Sequence, residues 1–337
     1  MENSMKYRTV SEKPHRTESK ERNYKADNIR FILIFLVVFG HFLELFSGTY
    51  RGGLYKIIYT FHMPCFLFLT GYYAKFDPSK LLRHLVVPYL VFQTLYLLFN
   101  HYVLADPEQV LVIQFTTPYW LLWYLLSVIF YYLLLPVITT GHKKTAIAVI
   151  AVSILLSILA GFDKTLGYYM SLSRTIVFFP FFVTGYYLSN VFNRQKIQDC
   201  EKKHRVVLTI LSAAVLTVCG CFVIKLNVPP AALYGSYSYA AANSTAAVRI
   251  LIGSCAVGWI LFLFLVVPNR RFPFLTTIGQ NTLAIYLPHG FLQRAISKHG
   301  IFHYSQFKNL LLAAVISCAI LAFFGNKYVG RLFKKIF

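Results

Sequence analysis

Residues 30–44 read R-F-I-L-I-F-L-V-V-F-G-H-F-L-E, an apolar run with an arginine at its start and a histidine and a glutamate near its end. An α-helix of about 3.6 residues per turn and 1.5 Å rise places His41 three turns, roughly 16 Å, from Arg30 on the same face. Glu44 follows His41 by one turn, and Asp27 precedes Arg30 by one turn. Ionisable side chains inside an apolar helix cost free energy, so they indicate a functional site. A structural hydrogen bond between helices is the alternative explanation.

The composition places this site in a membrane protein. The 337 residues are 57% hydrophobic, 17% aromatic and only 13% charged, whereas soluble domains carry about 25% charged residues. Apolar runs of about 20 residues recur along the chain and predict helical spans, and the short alternating segments of a β-barrel do not occur. Lysine and arginine in cytoplasmic loops account for the net charge of +21, so it does not indicate nucleic-acid binding. The six cysteines are scattered without a Cys-x-x-Cys pair, which argues against a zinc site or a disulfide framework.

The predicted fold is an all-α membrane protein with about ten transmembrane helices and both termini in the cytoplasm. The predicted spans cover residues 28–47, 55–74, 83–103, 118–139, 145–161, 174–192, 206–224, 248–267, 276–295 and 308–325. With this orientation, 24 of the 33 Lys and Arg residues lie on the cytoplasmic side, as the positive-inside rule requires. Residues 1–26 are predicted to be a disordered basic cytoplasmic tail, 27–326 the membrane domain, and 327–337 a short basic cytoplasmic tail.

Further polar and aromatic side chains lie at the outer half of the predicted spans. His62 precedes Met63-Pro64 in the second span at a depth near that of His41, so it either lines the same cavity or bonds to a neighbouring helix. Trp120, Trp123 and Tyr124 begin the fourth span, where an interfacial aromatic belt or stacking on a sugar ring would explain them.

Three more residues are candidates for the same cavity. Arg174 lies at the outer end of the sixth span, where an arginine can also snorkel to the interface. Gly279-Gln280-Asn281-Thr282 and Pro288-His289 predict a broken ninth helix, and broken backbone at membrane depth is tolerated where it lines a cavity. The largest outer loop, 225–247, either caps an acceptor site or is an ordinary surface loop.

Arg30, Lys80 and Arg83 predict a basic cluster at the cytoplasmic mouth of the first helix. Lys80 and Arg83 lie one turn apart at the start of the third helix. Arginine offers a bidentate fork and lysine a point charge, so the cluster suits a phosphorylated ligand. The positive-inside bias explains each residue taken singly.

The pattern favours acyl transfer. A histidine oriented by a carboxylate, here His41 and Glu44, can deprotonate a hydroxyl or carry a group itself. A phosphate-binding mouth inside and polar groups outside suit transfer from a cytoplasmic phosphorylated carrier to an outside hydroxyl. The sequence has no nucleotide-binding loop, no metal motif and no Gly-x-Ser-x-Gly elbow.

An ordered set of short motifs resembles the acyltransferase-3 family of bacterial integral-membrane O-acyltransferases, in its fucose 4-O-acetylase-like branch. The matching residues run from about 24 to 290 and are Asp27-x-x-Arg30 with Gly40-His41, Phe61-His62-Met63-Pro64, Lys80-x-x-Arg83, Trp120-x-x-Trp123-Tyr124, Arg174 with Phe179-Pro180-Phe181-Phe182, and Gly279-Gln280-Asn281 with Pro288-His289.

The resemblance implies a ten-helix core in the bacterial cytoplasmic membrane. It would move an acetyl or another short acyl group from cytosolic acyl-CoA to a hydroxyl of an extracytoplasmic or lipid-linked glycan. Acyl-CoA is then a co-substrate, and no permanently bound cofactor or metal is expected. His41 would be the essential catalytic residue, and Arg30 would support it or the donor. Family members usually carry two arginines where this chain has Lys80 and Arg83.

The predicted site therefore has three groups of residues. The catalytic group is His41, Glu44, Arg30 and Asp27. The donor-binding group is Arg30, Lys80 and Arg83. The acceptor or cavity group is His62, Trp120, Trp123, Tyr124, Arg174, Asn281 and His289.

Two alternatives remain open from the sequence. One is a transporter or flippase for a glycan or a lipid-linked sugar, although such carriers often show internal repeats and none is evident. The other is an acyltransferase that acts on a peptide or a lipid. His41 would act either as a general base or as a transient acyl carrier, and the oligomeric state is left open.

Overall fold

The structure, a computed structural model, describes residues 23–104, 111–192 and 194–337. Within these residues it is helical and has no strand. Thirteen helices of five or more residues form the architecture: α1 Tyr24–Leu43, α2 Thr49–Tyr72, α3 Pro78–Val103, α4 Trp120–Ile138, α5 Lys143–Leu159, α6 Leu172–Asn190, α7 Arg194–Lys225, α8 Ala246–Val266, α9 Pro273–Gln280, α10 Thr282–Tyr286, α11 His289–His299, α12 Gln306–Phe324 and α13 Lys327–Ile336.

The long helices run back and forth between two ends of the bundle. We call one the His41 end, which carries the loops 44–48, 111–119, 160–171, 226–245 and 300–305. The other is the Arg30 end, which carries the loops 73–77, 139–142, 267–272 and 325–326. Contacts between distant loops define each end. The Met170 amide donates to the Thr116 carbonyl at 2.6 Å, and the Asn28 side chain donates to the Pro268 carbonyl at 3.2 Å.

The described helices confirm an all-α, multi-pass membrane protein. Six of them, α1, α3, α4, α7, α8 and α12, contain segments of 19 to 26 residues that are apolar enough to cross a membrane, and a hydrocarbon core needs about 20 residues. Large apolar side chains such as Val137, Val206 and Phe307 point outward from the bundle, where lipid would cover them. The remaining helices are shorter, broken or more polar, so the count of about ten spans and the orientation of the termini stay predictions.

Helix α1 lies inside the bundle against α2, α9 and α12. Its fully buried apolar side chains are Ile29, Leu33, Ile34, Val38, Phe42 and Leu43. The helix begins four residues before the predicted span 28–47, because the Asn23 side chain caps it by accepting from the Ala26 amide at 3.3 Å. The described part of the predicted 1–26 tail thus enters the first turn of α1, and residues 1–22 lie outside the described residues.

The predicted break in the ninth span is present. The helix is divided into α9, α10 and α11. The first break lies at Asn281, whose backbone leaves the helical region with φ −115° and ψ 27°. The second falls at Pro288, which has no amide hydrogen to continue the helix, and α11 begins at the next residue, His289.

The predicted C-terminal tail 327–337 is also helical. The Asn326 side chain caps α13 by accepting from the Val329 amide at 3.0 Å. Phe333 and Phe337 pack against Phe92 of α3, with ring centroids 6.3 Å and 6.1 Å away. Helix α13 is therefore docked on the Arg30 end of the bundle.

Candidate active site

A cavity of about 240 Å³ lies at the His41 end between α1, α2, α4, α6 and α10. Its polar wall consists of His41, Glu44, Tyr59, His62, Arg174 and Tyr234. Its aromatic wall includes Trp120, Trp123, Tyr168, Phe178 and Tyr286. The loop 226–245 contributes Leu233 and Tyr234, so this loop does border the predicted acceptor side. Mainly aromatic walls with a few convergent polar groups are typical of small-molecule sites.

His41, Glu44 and Tyr59 form a hydrogen-bonded triad in this cavity. His41 Nδ1 lies 3.3 Å from Glu44 Oε1, and the Tyr59 hydroxyl donates to the same oxygen at 2.5 Å. The Tyr59 oxygen is also 3.2 Å from His41 Nδ1. A carboxylate only accepts hydrogen bonds, so we assign the imidazole proton to Nδ1. Nε2 is then the basic nitrogen of His41.

Residues from distant parts of the chain hold His41 in place. The Trp120 ring meets its imidazole edge-on at 4.6 Å, and the His289 ring stacks on it at 5.5 Å. The Gln293 side chain donates to the His41 carbonyl at 3.2 Å. Trp120 has φ 33°, a left-handed conformation that is an outlier for a bulky residue. Such strain tends to occur at functional sites.

His62 and His289 are both buried and each has one nitrogen occupied. His62 Nδ1 donates to the Ile58 carbonyl at 2.7 Å, and His289 Nδ1 donates to the Tyr286 carbonyl at 2.6 Å. His289 Nε2 is buried and has no partner among the described residues. The Tyr59 ring lies between His41 and His62, with centroids 6.3 Å and 4.8 Å away. The predicted pair of histidines at one depth is thus found around one cavity.

Arg174 reaches the cavity from the first turn of α6. Its Nε donates to the Tyr234 carbonyl at 3.2 Å, and its Nη2 lies 3.5 Å from Ser236 Oγ. The guanidinium also lies over the Trp123 ring at 5.0 Å and over the Tyr168 ring at 5.5 Å. A positive charge is therefore fixed in the aromatic part of the wall.

Three residues of the predicted cavity group are not part of the described wall: Tyr124, Asn281 and His289, whose ring stacks on that of His41. Tyr124 is not in the wall that the described residues form; its hydroxyl is 2.8 Å from Thr70 Oγ1 between α4 and α2. Asn281 lies at the Arg30 end, where its side chain donates to the Gly325 carbonyl at 3.0 Å. Tyr124 follows Trp123 on the helix and so points to another face, and Asn281 stabilises the helix break instead of facing the cavity.

Asp27, which is buried, and Arg30, which is partly exposed, form an ion pair at the Arg30 end. Arg30 Nη1 donates to Asp27 Oδ1 at 3.1 Å, and Gln280 of α9 donates to Asp27 Oδ2 at 3.0 Å. The Arg30 guanidinium lies 4.9 Å from the centre of the Tyr73 ring. Arg30 and the His41 triad thus occupy opposite ends of one helix.

Lys80 and Arg83 lie at the same end as Arg30, but each contacts a different partner. Lys80 is exposed and pairs with Asp77 at 3.1 Å, and hydrogen bonds from the Lys80 amide and side chain lower the pKa of the Asp77 carboxyl. Arg83 Nη2 donates to the Lys335 carbonyl of α13 at 3.1 Å. Among the described residues, no group of three or more His, Cys, Asp or Glu is placed to hold a metal ion.

Sequence reasoning missed the tyrosines of this site. Tyr55 and Tyr59 precede His62 by seven and three residues, so helical spacing places all three on one face of α2 and could have revealed them. Tyr234, whose hydroxyl lies 2.6 Å from that of Tyr55, carried no such signal because it comes from a distant loop.

The fold and cavity define a multi-pass membrane protein with a histidine–carboxylate pair in a buried site. The family model for the acyltransferase domain of the acyltransferase-3 family matches residues 23–325. The chain therefore belongs to this family, which confirms the predicted membrane acyltransferase. Searches of curated proteins and of solved structures gave no match.

Proposed function

We propose that the protein moves an acyl group, by expectation acetyl, from acyl-CoA to a hydroxyl of an extracytoplasmic or lipid-linked glycan. The observation that carries this proposal is the His41–Glu44–Tyr59 triad facing a cavity with aromatic walls. Family membership supports acyl transfer. The acetyl donor, the glycan acceptor and the fucose 4-O-acetylase-like branch rest on the motif resemblance and the character of the cavity.

The charges at the two ends of α1 suit a long donor. We assign the Arg30 end to the cytoplasmic face of a bacterial cell membrane, in keeping with the distribution of Lys and Arg. Arg30, Lys80 and Arg83 would then bind the phosphates of CoA. Arg30 and His41 are eleven residues apart on α1, roughly 16 Å along the helix axis. The extended arm of acyl-CoA that joins its phosphates to its thioester would fit this separation.

His41 would act through Nε2. In the general-base route, Nε2 takes the proton of the acceptor hydroxyl while that oxygen attacks the thioester carbonyl. The C–S bond then breaks, the imidazolium returns the proton to the thiolate, and the products are an ester and free CoA. In the relay route, Nε2 itself attacks the thioester carbonyl, and the C–S bond breaks to release the CoA thiolate. The acceptor hydroxyl then attacks the acyl-imidazolium, the bond from Nε2 to the acyl group breaks, and the hydroxyl proton passes to the thiolate, which gives the ester, free CoA and neutral His41. In both routes Glu44 stabilises the positive charge that forms on the imidazole.

The three histidines in and beside the cavity, His41, His62 and His289, would have different roles. Nδ1 of His41 is directed at a carboxylate, whereas Nδ1 of His62 and of His289 is directed at a backbone carbonyl. A carboxylate stabilises an imidazolium more strongly than a neutral carbonyl does. His41 would therefore be the histidine that reacts, as the base or as the acyl carrier, and His62 would shape the acceptor side of the cavity.

The test is release of free thiol from acetyl-CoA by the purified protein. His41→Ala removes the base and is expected to lower the rate by a factor of about 10² to 10⁴, while binding of acetyl-CoA by calorimetry is retained. His142→Ala is the matched control, because His142 is exposed at the Arg30 end, and it should keep the wild-type rate. An unchanged rate in His41→Ala would reject the role of His41. Absence of both thiol release and acetyl-CoA binding in the wild type would reject the donor and favour glycan transport.

A further inference from the structure

The cavity wall contains a cation that the proposed reaction does not use. Arg174 lies at the start of α6 and lines the same cavity as His41. Among the described residues it has no carboxylate partner within ion-pair distance. Glu44 is the one carboxylate in the described wall, and its Oε1 already receives the Tyr59 hydroxyl at 2.5 Å. The charge of Arg174 is therefore not neutralised within this cavity.

The hydrogen-bonding capacity of Arg174 is also only partly used. A guanidinium carries five N–H donors, and the structure gives oxygen acceptors to two of its nitrogens, at 3.2 Å and 3.5 Å. The Trp123 and Tyr168 rings fix its position through cation–π contacts but accept no further conventional hydrogen bond. The remaining donors are available to a ligand in the cavity.

Arg249 shows what a purely structural arginine looks like at the same end of the bundle. Its guanidinium lies 4.7 Å over the Tyr239 ring, and it donates to the carbonyls of Ser157 at 2.9 Å and Tyr237 at 3.4 Å. Arg249 ties α8 to α5 and is not part of the described cavity wall. Arg174 differs from it in facing the space where the acceptor would bind.

We propose that Arg174 binds a negatively charged group, a carboxylate or a phosphate, on the sugar acceptor whose hydroxyl is acylated at His41. The inference rests on the proposed function and narrows its acceptor to an anionic one. Arginine pairs with carboxylate and phosphate through two parallel hydrogen bonds. Because Arg174 and His41 border one cavity of about 240 Å³, a single acidic sugar or sugar phosphate would reach both.

The test compares charged and neutral sugars on the full-length protein in a neutral detergent. Trp120 and Trp123 line the cavity, so quenching of tryptophan fluorescence reports binding. The probes are methyl glucuronide, glucose 1-phosphate and neutral methyl glucoside. The wild type should bind at least one charged probe about tenfold more tightly than the neutral one, as expected for a charged hydrogen bond. The preference should weaken as salt rises.

Two variants assign that preference to one residue. Arg174→Gln should reduce the ratio of affinities to about one, and Arg174→Lys should retain part of it, since the charge remains but the fork is lost. Arg249→Gln should keep the full preference. If Arg174→Gln does not fold, Arg174→Lys and the wild-type salt dependence still decide the question.

Several outcomes would overturn the inference. One is equal affinity for charged and neutral probes in the wild type, and another is a preference for charged probes that survives in Arg174→Gln. A third is binding of glycerol phosphate without binding of the charged sugars, which would assign Arg174 to a lipid headgroup. Thiol release from acetyl-CoA by the wild type is measured separately. If thiol release is absent but the wild type still prefers the charged probes, the proposed acyl transfer is rejected and the proposed anion site at Arg174 is retained.

Discussion

At the residue scale, the geometry of the site depends on a hydroxyl that bridges the two side chains of the proposed catalytic pair, His41 and Glu44. The Tyr59 oxygen is 2.5 Å from Glu44 Oε1 and 3.2 Å from His41 Nδ1. The Tyr59 hydroxyl donates to Glu44 Oε1. The proton on His41 Nδ1 is directed at both that carboxylate oxygen and the Tyr59 oxygen. In the proposed reaction, Tyr59 would act through His41 and Glu44 as a positioning residue.

We expect Tyr59→Phe to lower the rate of acyl transfer about tenfold, which corresponds to the loss of one hydrogen bond to a charged group. The Km for acyl-CoA should not change, because the cations proposed to bind the donor lie at the other end of α1. Phenylalanine keeps the ring that stacks on Tyr55 at 4.0 Å, so the fold should be retained. Steady-state kinetics of purified variants would measure both constants.

Tyr55→Phe is the matched control for this prediction. Its hydroxyl lies 3.4 Å from Glu44 Oε1 and 2.6 Å from the Tyr234 hydroxyl, so its main partner is not the carboxylate. A smaller loss of rate is expected. Equal losses in the two variants, or a wild-type rate in Tyr59→Phe, would contradict the special role of Tyr59.

Local spacing predicted part of this site and tertiary contact supplied the rest. The pairs Asp27–Arg30 and His41–Glu44 are three residues apart on one helix, so the sequence alone places them together. Arg30 and His41 fall at opposite ends of α1 because eleven residues of one helix separate them. The contact between His289 and His41 was not predictable in detail, because it depends on how the broken helix α9–α11 packs against α1.

At the element scale, α2 and α6 form the interface that shapes the cavity, and two glycines allow it. A Cβ atom on Gly71 would lie 1.9 Å from the Phe182 carbonyl oxygen, and one on Gly185 would lie 2.1 Å from the Phe68 carbonyl oxygen. The backbones of α2 and α6 are therefore close together, as small residues allow between membrane helices. Helix α2 carries Tyr59 and His62, and α6 carries Arg174.

Gly71→Ala is expected to push α2 and α6 apart and to lower the stability by about 1–3 kcal/mol, as overpacking does. The midpoint of thermal unfolding in detergent should fall, and the acyl-transfer rate should fall with it because the cavity changes shape. Gly220→Ala on α7 is the control, since a Cβ there would meet no atom of the described residues within 4 Å apart from its chain neighbours and its own helix backbone. A Gly71→Ala protein with the wild-type midpoint would show that the helices adjust without cost.

The sequence predicted where most helices lie because each is long and apolar. Six of them stand out by length and hydropathy. Their ends were less predictable, since a cap such as Asn23 depends on a local hydrogen bond, and α2 starts early, at Thr49, without a side-chain cap. The break at Asn281 was predictable from Gly279 and Asn281, two residue types that disfavour a continuous helix.

At the scale of the whole molecule, the C-terminal helix connects the end of the chain to a predicted donor-binding residue. Helix α13 lies outside the residues that the family model matches, 23–325. Its Lys335 carbonyl accepts from Arg83 at 3.1 Å, and its Phe333 packs on Phe92 of α3. Helix α13 thus orients Arg83. The prediction of a short basic tail over residues 327–337 did not indicate this contact.

We expect Phe333→Ala to raise the Km for acyl-CoA several-fold without a matching change in kcat. Loosening α13 removes the acceptor that holds Arg83, and a hydrogen bond of this kind contributes about 1 kcal/mol. A side chain that is no longer pre-organised binds its ligand less tightly. The His41 triad lies at the opposite end of α1, so the chemical step should be preserved.

Leu332→Ala is the control, because Leu332 is 59% exposed on the outer face of α13. Equal Km values in the two variants would show that Arg83 does not need α13, whereas a fall in kcat alone would place the effect of α13 at the His41 end.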